Sequence, residues 1–587
     1  MPEAAGQAQA LERLDREIAD RWGAEVVPPE VLAKRFPLRR KLLKAWRLPG
    51  VVEDGQQDLL VMVDSQFPWS LPMLALPEAT NGVSFPHVEA DGHLCLVPDV
   101  SSFALPVGVE HVEQLVKDAN DLLHQGRSGA NDDEFYSEAQ SYWSLVAPSK
   151  DDIWLTAPLP PTHAVWSSAL PCSNIVIAPD RQAIKSWAAS CGRKVQGLQP
   201  ALILRCPYPL LPEVYPLTMR DLFSFAKEIG AAAELQFAIT HWPAQTALPV
   251  VIAFDYDGKD ILLGAAVLPP GQIRMPEARG NGVPGFRHGS RMTAKARLAA
   301  LSQVPLRFPH LKVIPVYRQY LHTRTAGESS ESLASMHVII AGCGAIGGQL
   351  AVQLAQAGVG RLTLLDDEML DWRNVGRHVL DGSYVGRYKA LAVAQVIQKR
   401  FPGADVLGVA SNWETCWKEG RKEFETADLM ISVTGEAASN LYLDALARDG
   451  EVPPVIFGWL EPFGVAAHAV FRHPHGGGLS SITTTHGALC EPVADLGTLP
   501  QLPQEPSCGA FYQPYSSLSA LPGIALIGEL SLDALLERAP TSTHRIWVGN
   551  AGEFSNNGLS LNGAWHTRLN QHGYNRRFDI VLPNIER

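Results

Sequence analysis

At 587 residues the chain is too long for one hydrophobic core, and about three or four domains are expected. With 46% hydrophobic and 19% charged residues, 49 glycines and 44 prolines, it reads as globular domains joined by turn-rich connections, which excludes a disordered or fibrous chain. A net charge of −12 without a long Lys/Arg run argues against nucleic acid or an anionic membrane as partner. No stretch of 18 uninterrupted apolar residues occurs and the start Met1-Pro2-Glu3-Ala4-Ala5-Gly6 is unlike a signal peptide, so a cytoplasmic protein is expected.

In chain order, Leu11, Leu14, Ile18 and Trp22 recur at helical spacing and predict a helix over 8–24, with a second over 30–46. Strands are predicted at 49–54 and 57–63. A proline-rich passage from Phe67 to Pro77 leads to a cysteine loop around Cys95, and Val109, Val112, Leu115, Val116 and Leu122 predict a helix over 109–124. Consecutive prolines in 147–163 block both helix and central strand and mark a linker. Apolar runs such as Ile175-Val176-Ile177 and Val250-Val251-Ile252 alternate with helical patterns over 164–325, which predicts a middle α/β domain; it carries no catalytic signature. A third α/β unit opens with Val338-Ile339-Ile340. The reading is of domains at 1–146, 164–325 and 331–587.

The third unit begins with the most specific local signal, Val338-Ile339-Ile340-Ala341-Gly342-Cys343-Gly344-Ala345-Ile346-Gly347: a strand, G-x-G-x-x-G, then a helix. Gly342, Gly344 and Gly347 permit a tight turn and bring backbone N–H groups to a phosphate at the positive end of the helix dipole. Asp366, at the end of the next strand, is spaced to hold a ribose hydroxyl. Taken alone this is equally a dehydrogenase fingerprint. The continuation Asp366-Asp367-Glu368 to Asn374-Val375-Gly376-Arg377, followed by Lys389-Ala390, resembles the adenylating domain of the ThiF, MoeB and ubiquitin-activating family, with its D-x-D, N-x-x-R and lysine. The resemblance implies a Rossmann-like fold, ATP and Mg2+, and Asn374, Arg377 and Lys389 on the triphosphate. Such cations suit the chemistry, because carboxylate attack on the α-phosphate develops negative charge.

Two departures stand out. Glu368 replaces the second acid of D-x-D, and Thr434-Gly435-Glu436 stands where the family has a magnesium aspartate; Glu436 is the substitute candidate, one position displaced. The eight cysteines contain no C-x-x-C pair, so neither a zinc ribbon nor a disulfide framework is offered. For an acyl-accepting thiol the candidates are Cys490 and Cys508. Cys508 is preferred, since it follows a proline-rich loop and precedes a helical run at 516–537 whose dipole would activate it. Cys343 reads as packing.

Upstream, Phe85-Pro86-His87-Val88-x-x-x-Gly92-x-Leu94-Cys95-Leu96 resembles, without a gap, the active-site segment of ubiquitin-conjugating enzymes, and so implies an α+β conjugating-type domain with Cys95 as acyl carrier. His87 stands where that family has an oxyanion-stabilising asparagine; it is read as a hydrogen-bond donor or as a base for an incoming amine, or as a loop residue with no role. The fusion resembles the conjugating and activating proteins of CBASS antiphage operons. That resemblance implies adenylation of the C-terminus of a cGAS/DncV-like nucleotidyltransferase, relay through Cys508 and Cys95 to an amine on a protein or small molecule, and a homodimer. Conjugation of a ubiquitin-like protein, activation of a sulfur carrier, and a degenerate scaffold are the alternatives.

Overall fold

The computed structural model describes residues 2–28, 30–32, 36, 42–52, 57–78, 85–89, 91–96, 106–146, 148–170, 174–195, 197–242, 246–268, 308–322, 329–474, 476–484, 487–495, 497 and 514–583. The chain forms two compact units, Met1–Ile184 with Gln196–Ile314, and Lys185–Val195 with Pro315–Arg587.

The first unit opens with α1 (Pro2–Trp22) and an antiparallel sheet in chain order, β1 (Glu25–Val26), β2 (Leu42–Val52), β3 (Gln57–Asp64), β4 (Met73–Ala75) and β5 (His93–Leu94). Helix α2 (Val109–Ser128) lays Val112, Leu115, Ala119 and Leu123 into one core with Trp46, Val61 and the Leu14 and Ile18 of α1. The Trp46 indole donates to Asp15 Oδ1 at 2.6 Å, which fastens α1 to the sheet. The helix expected over 30–46 is corrected here: 42–46 opens β2. Ala45 and Trp46 pair with Met62 and Val61, and this cross-strand packing overrides the local helical pattern.

Two short helices, α3 (Glu134–Ser137) and α4 (Ala139–Val146), lead into a closed barrel. Its strands are β6 (Pro148–Leu155), β7 (Ala164–Ala169), β8 (Ile175–Ala178), β9 (Gln199–Arg205), β10 (Leu248–Tyr256), β11 (Lys259–Val267) and β12 (His310–Pro315), in the order β10-β11-β12-β6-β8-β7-β9. The linker expected over 147–163 is therefore a strand in its first half. Ile153 and Leu155 are buried and pair in parallel with Ile175 and Ile177, and the consecutive prolines fall beyond the strand end. One face of the barrel wall (Leu202, Leu204, Ile252, Leu263) shares a core with α5 (Met219–Glu228) and α6 (Ala232–His241), and with Phe135, Ala139, Tyr142 and Trp143 of α3 and α4.

The second unit is an eight-stranded sheet, β15-β14-β13-β16-β17-β18-β19-β20. The parallel half comprises β13 (His337–Ala341), β14 (Arg361–Leu365), β15 (Asp405–Val409), β16 (Leu429–Ser432) and β17 (Val455–Leu460); β18 (Ala466–Arg472), β19 (Thr543–Val548) and β20 (Arg576–Val581) run antiparallel. Helices α7 (Ala345–Ala357), α8 (Lys389–Arg400) and α9 (Ala437–Asp449) follow β13, β14 and β16. The strand order departs in opposite directions on either side of β13, so the carboxyl end of β13 is a switch point, where doubly wound sheets open a ligand crevice. Helix α10 (Ser517–Leu535) is long and apolar enough to cross a membrane, yet Ala520, Ile524, Ile527 and Leu530 are buried in the core of this sheet.

Candidate functional site

At the switch point the chain turns from β13 through Gly342, whose φ of +90° suits a residue without Cβ, and Gly342 N donates to Leu365 O at 2.9 Å. A Cβ at position 347 would stand 1.8 Å from Gly342 O, so only glycine lets α7 start this close to the strand. Gly344 caps α7 without a side chain, and Gly344, Ala345 and Ile346 line a cavity of about 300 Å³ with the first-turn N–H groups of the helix at its edge. The same cavity is lined by Asn374, Arg377, Lys389, Thr434 and Tyr515. Four of the expected nucleotide contacts, Gly344, Asn374, Arg377 and Lys389, thus meet in one cavity, while Gly342 and Gly347 shape its turn.

Each cation is placed by a local device. Lys389 is buried; its Nζ pairs with the exposed Glu368 carboxylate and its N–H donates to Glu368 O at 2.9 Å. The Arg377 guanidinium lies 5.6 Å from the Tyr515 ring centroid, a cation–π contact. Asn374 Oδ1 accepts Asp371 N–H at 3.1 Å, which leaves the amide NH2 as the end able to donate to a phosphate. Asp366 accepts Cys343 N–H at 2.6 Å and Glu368 N–H at 2.8 Å, one on each carboxylate oxygen. Burial raises its pKa above the ordinary carboxylate value while these two donors act the other way. Each oxygen keeps a second lone pair for a ribose hydroxyl. His378, which the sequence reading passed over, braces the turn: Nε2 donates to Cys343 O at 2.7 Å, Nδ1 accepts Leu380 N–H at 3.1 Å, and burial lowers its pKa. Cys343 is fully buried, and burial pushes its thiol well up.

Glu436 stands exposed at the N-cap of α9 without a side-chain cap bond, just beyond Thr434. Among the described residues no three His, Cys, Asp or Glu side chains group as a metal cage. Mg2+ does not require one, since it is commonly held by one or two carboxylates with phosphate oxygens and water. A second cavity of about 370 Å³ shares Ile346, Val433, Thr434 and Tyr515 with the first and continues along Trp459, Leu460 and Leu489.

Cys508 lies outside the described residues. Cys490 is exposed, and its N–H donates to Ile482 O at 2.9 Å. The segment after it is held by buried Glu461, which accepts Val493 N–H at 2.7 Å and Ala494 N–H at 2.8 Å. Glu461 also meets His468 Nε2 at 2.9 Å, and His468 Nδ1 lies 3.0 Å from His544 Nε2. Burial, with the charges of His468 and Arg568, lowers His544 to about 2.

The thiol loop is in the first unit. Val88 bridges Leu94, Gly92 turns at φ +83°, and Cys95 N–H donates to His87 O at 2.9 Å. Cys95 is exposed, and the His87 ring hydrogen-bonds its side chain. His87 itself adopts φ +59°, a left-handed conformation that asparagine and histidine tolerate better than most residues. Its pKa is raised, first by the bond to Cys95 and then by the charges of Glu138 and Glu134 against an opposing desolvation effect. His87 Nε2 is 3.1 Å from Glu134 and Nδ1 3.5 Å from Glu138. Glu134, Glu138 and Tyr142 escaped the sequence reading, because no motif links short helices 40 residues downstream to the cysteine loop.

The molecule thus combines a switch-point cradle shaped for a nucleotide with an exposed thiol addressed by a histidine. Residues 316–487 match the ThiF family and residues 19–151 match the prokaryotic E2 family B, so the chain carries a ThiF domain and a prokaryotic E2 family B domain. Among curated relatives it is 26% identical over 239 residues to "ATP-dependent ubiquitin transferase-like protein Cap2" of Pseudomonas aeruginosa, covering 40% of this chain and 42% of that protein. It is 28% identical over 154 residues to the protein of that description from Enterobacter hormaechei, covering 26% of this chain and 25% of that protein, so the chain spans less than half the length of either relative. A zebrafish (Danio rerio) adenylyltransferase and sulfurtransferase MOCS3 is 37% identical over 83 residues, 14% of this chain and 18% of that one. Among solved structures, E. coli MccB with ATP is 14% identical at a TM-score of 0.31, covering 44% of this chain and 66% of that one.

Proposed function

We propose that the protein activates the C-terminal carboxylate of a partner protein with ATP and passes the acyl group through thioesters to an amine, in the cytoplasm. The observation that carries this reading is the exposed Cys95 thiol hydrogen-bonded by His87, in a chain that also holds Lys389, Arg377 and Asn374 around one cavity of about 300 Å³. The carboxylate oxygen attacks the α-phosphate and pyrophosphate leaves; Lys389, Arg377 and the α7 N–H groups offset the charge that builds there. Mg2+, held by Glu436 and phosphate oxygens, would supply further charge neutralisation. The connected 370 Å³ cavity suits the partner's C-terminal tail, with Trp459 and Leu489 against it.

Cys508 then attacks the acyl-adenylate carbonyl and AMP leaves, and Cys95 takes the acyl group from Cys508. His87 as an imidazolium donates to the oxyanion that forms when the amine attacks, in place of an asparagine amide. A cGAS/DncV-like nucleotidyltransferase is the partner we favour, with adenylating domains paired as a homodimer; the resemblance to CBASS proteins and the Cap2 description of two relatives support it. The test is a non-reducing gel of the protein with ATP, Mg2+ and that nucleotidyltransferase. Reducible adducts are expected in the wild type, one lost in Cys95→Ala and one in Cys508→Ala. Pyrophosphate exchange with a ubiquitin-like protein alone would change the partner, and silence with both would overturn the reading.

A further inference from the structure

We infer that Glu134, Glu138 and Tyr142 are positioning residues of the Cys95 centre, orienting the His87 ring over the thiol, and that the barrel anchors them there. The inference rests on the conjugating role proposed for Cys95. A histidine on a loop has two free torsions, and a donor set over a thiol gains rate only if it is held in place. Here the side chain is held from one side by two carboxylates, Glu134 at 3.1 Å from Nε2 and Glu138 at 3.5 Å from Nδ1, and the backbone by Tyr142, whose hydroxyl accepts His87 N–H at 2.7 Å. That hydroxyl donates in turn to Glu138 Oε2 at 3.0 Å, so one carboxylate is itself fixed. Asn131 Nδ2 donates to Glu134 Oε2 at 3.1 Å and fixes the other.

The holding groups belong to α3, its C-cap Glu138 and α4, and both helices are too short to be stable alone. What makes them rigid is the residue next to Tyr142. Trp143 is buried in the barrel core, its indole N–H donates to Gly264 O at 2.5 Å, and its ring stacks on His310 at 3.6 Å between centroids. His310 touches two carbonyls, Trp143 O at 2.8 Å and Pro216 O at 2.9 Å. Phe135 of α3 packs edge-on against the Tyr142 ring at 4.9 Å in the same core. The barrel, silent in the sequence, thereby becomes the support for a site in the neighbouring sheet.

The titratable groups facing His87 are Cys95, Glu134, Glu138 and Tyr142, and both glutamates favour its charged form. The step served is acyl transfer: the amine nitrogen bonds the thioester carbon, the carbon–sulfur bond breaks, and the amine proton passes to the leaving thiolate.

The test compares full-length wild type with Glu134→Gln/Glu138→Gln, using protein labelled with 13Cε1-histidine and the His87 resonance assigned through His87→Asn. No nucleotide or partner is needed for this arm. The His87 titration is expected to move to lower pH in the double variant; a curve that superposes on wild type overturns the inference. In the second arm, Cys95 adducts of both proteins are chased with a primary amine. Discharge is expected to slow by about tenfold, less than the ~10²-fold expected on removing His87 itself. Discharge at the wild-type rate also overturns the inference. Absence of any Cys95 adduct in wild type counts against the proposed function, and the titration then still decides whether the carboxylates govern His87.

Discussion

The two centres are built from different materials. The nucleotide cradle is mostly backbone: Gly342, Gly344 and Gly347 shape a turn between β13 and α7, and the half-buried Asp366 carboxylate and the buried His378 imidazole hydrogen-bond to it. The thiol centre is mostly side chain: one histidine in a left-handed conformation, set against two carboxylates and a phenol from the α3–α4 segment. A backbone site fails when a Cβ intrudes and tolerates changes at its rim. A side-chain site keeps its fold when a functional group is removed and loses rate instead.

The harshest way to break this contrast is Gly347→Val. Any Cβ there meets Gly342 O, so the variant is expected to lose about 3 kcal/mol of stability or more and all pyrophosphate exchange, read by thermal unfolding and an isotope-exchange assay. Lys389→Ala separates charge from scaffold within the cradle. Exchange is expected to fall by about 10²–10³-fold, because a preorganised cation is removed from the developing phosphate charge, while the melting temperature stays near wild type since the partner Glu368 is exposed. An equal loss of stability would mean that Lys389 serves the fold first. At the thiol centre, His87→Ala is expected to slow amide formation by ~10²-fold with Cys95 still loaded, and His87→Asn to recover part of that rate, since asparagine accepts the positive φ and offers a donor. Single-turnover discharge measures both.

The smallest effect is in pH, and here the two regions have opposite sign. His544 is lowered to about 2 from an ordinary 6.5, so the unfolded chain binds the extra proton and this contribution to the second unit's stability is lost as pH falls below 6.5. His87 is raised above 6.5, so its contribution is fully present below that value and is lost as pH rises through the raised one. Melting curves of His544→Asn and His87→Asn across pH, each against wild type, are expected to diverge at opposite ends of the range. Divergence at the same end would refute the pairing of burial with His544 and of carboxylates with His87.

Much of the cradle was legible because its parts are close in sequence: a strand, three glycines, then Asn374, Arg377 and Lys389 within some fifty residues of the turn. Tyr515, which faces Arg377, comes from the segment just before α10, far along the chain, and had no local signature. The cysteine loop was legible from Phe85 to Leu96 for the same reason, whereas Glu134, Glu138 and Tyr142 reach it only through tertiary packing. The misread segments share a cause. Residues 42–46 have a helix-compatible pattern, and 148–155 are close to prolines, yet each gains more from pairing with strands whose positions no local window contains.

Trp143 also sets where the chain can be cut. A fragment ending after residue 146 would keep Cys95 and His87 but strand Phe135, Tyr142 and Trp143 in water, with the indole N–H parted from Gly264 O. Deleting a buried tryptophan's packing costs about 3–5 kcal/mol, a large part of what a small domain has to spare. The cysteine loop and the barrel are thus a single hereditary package: a recombination that swapped one without the other would deliver the thiol without the hand that steadies its histidine.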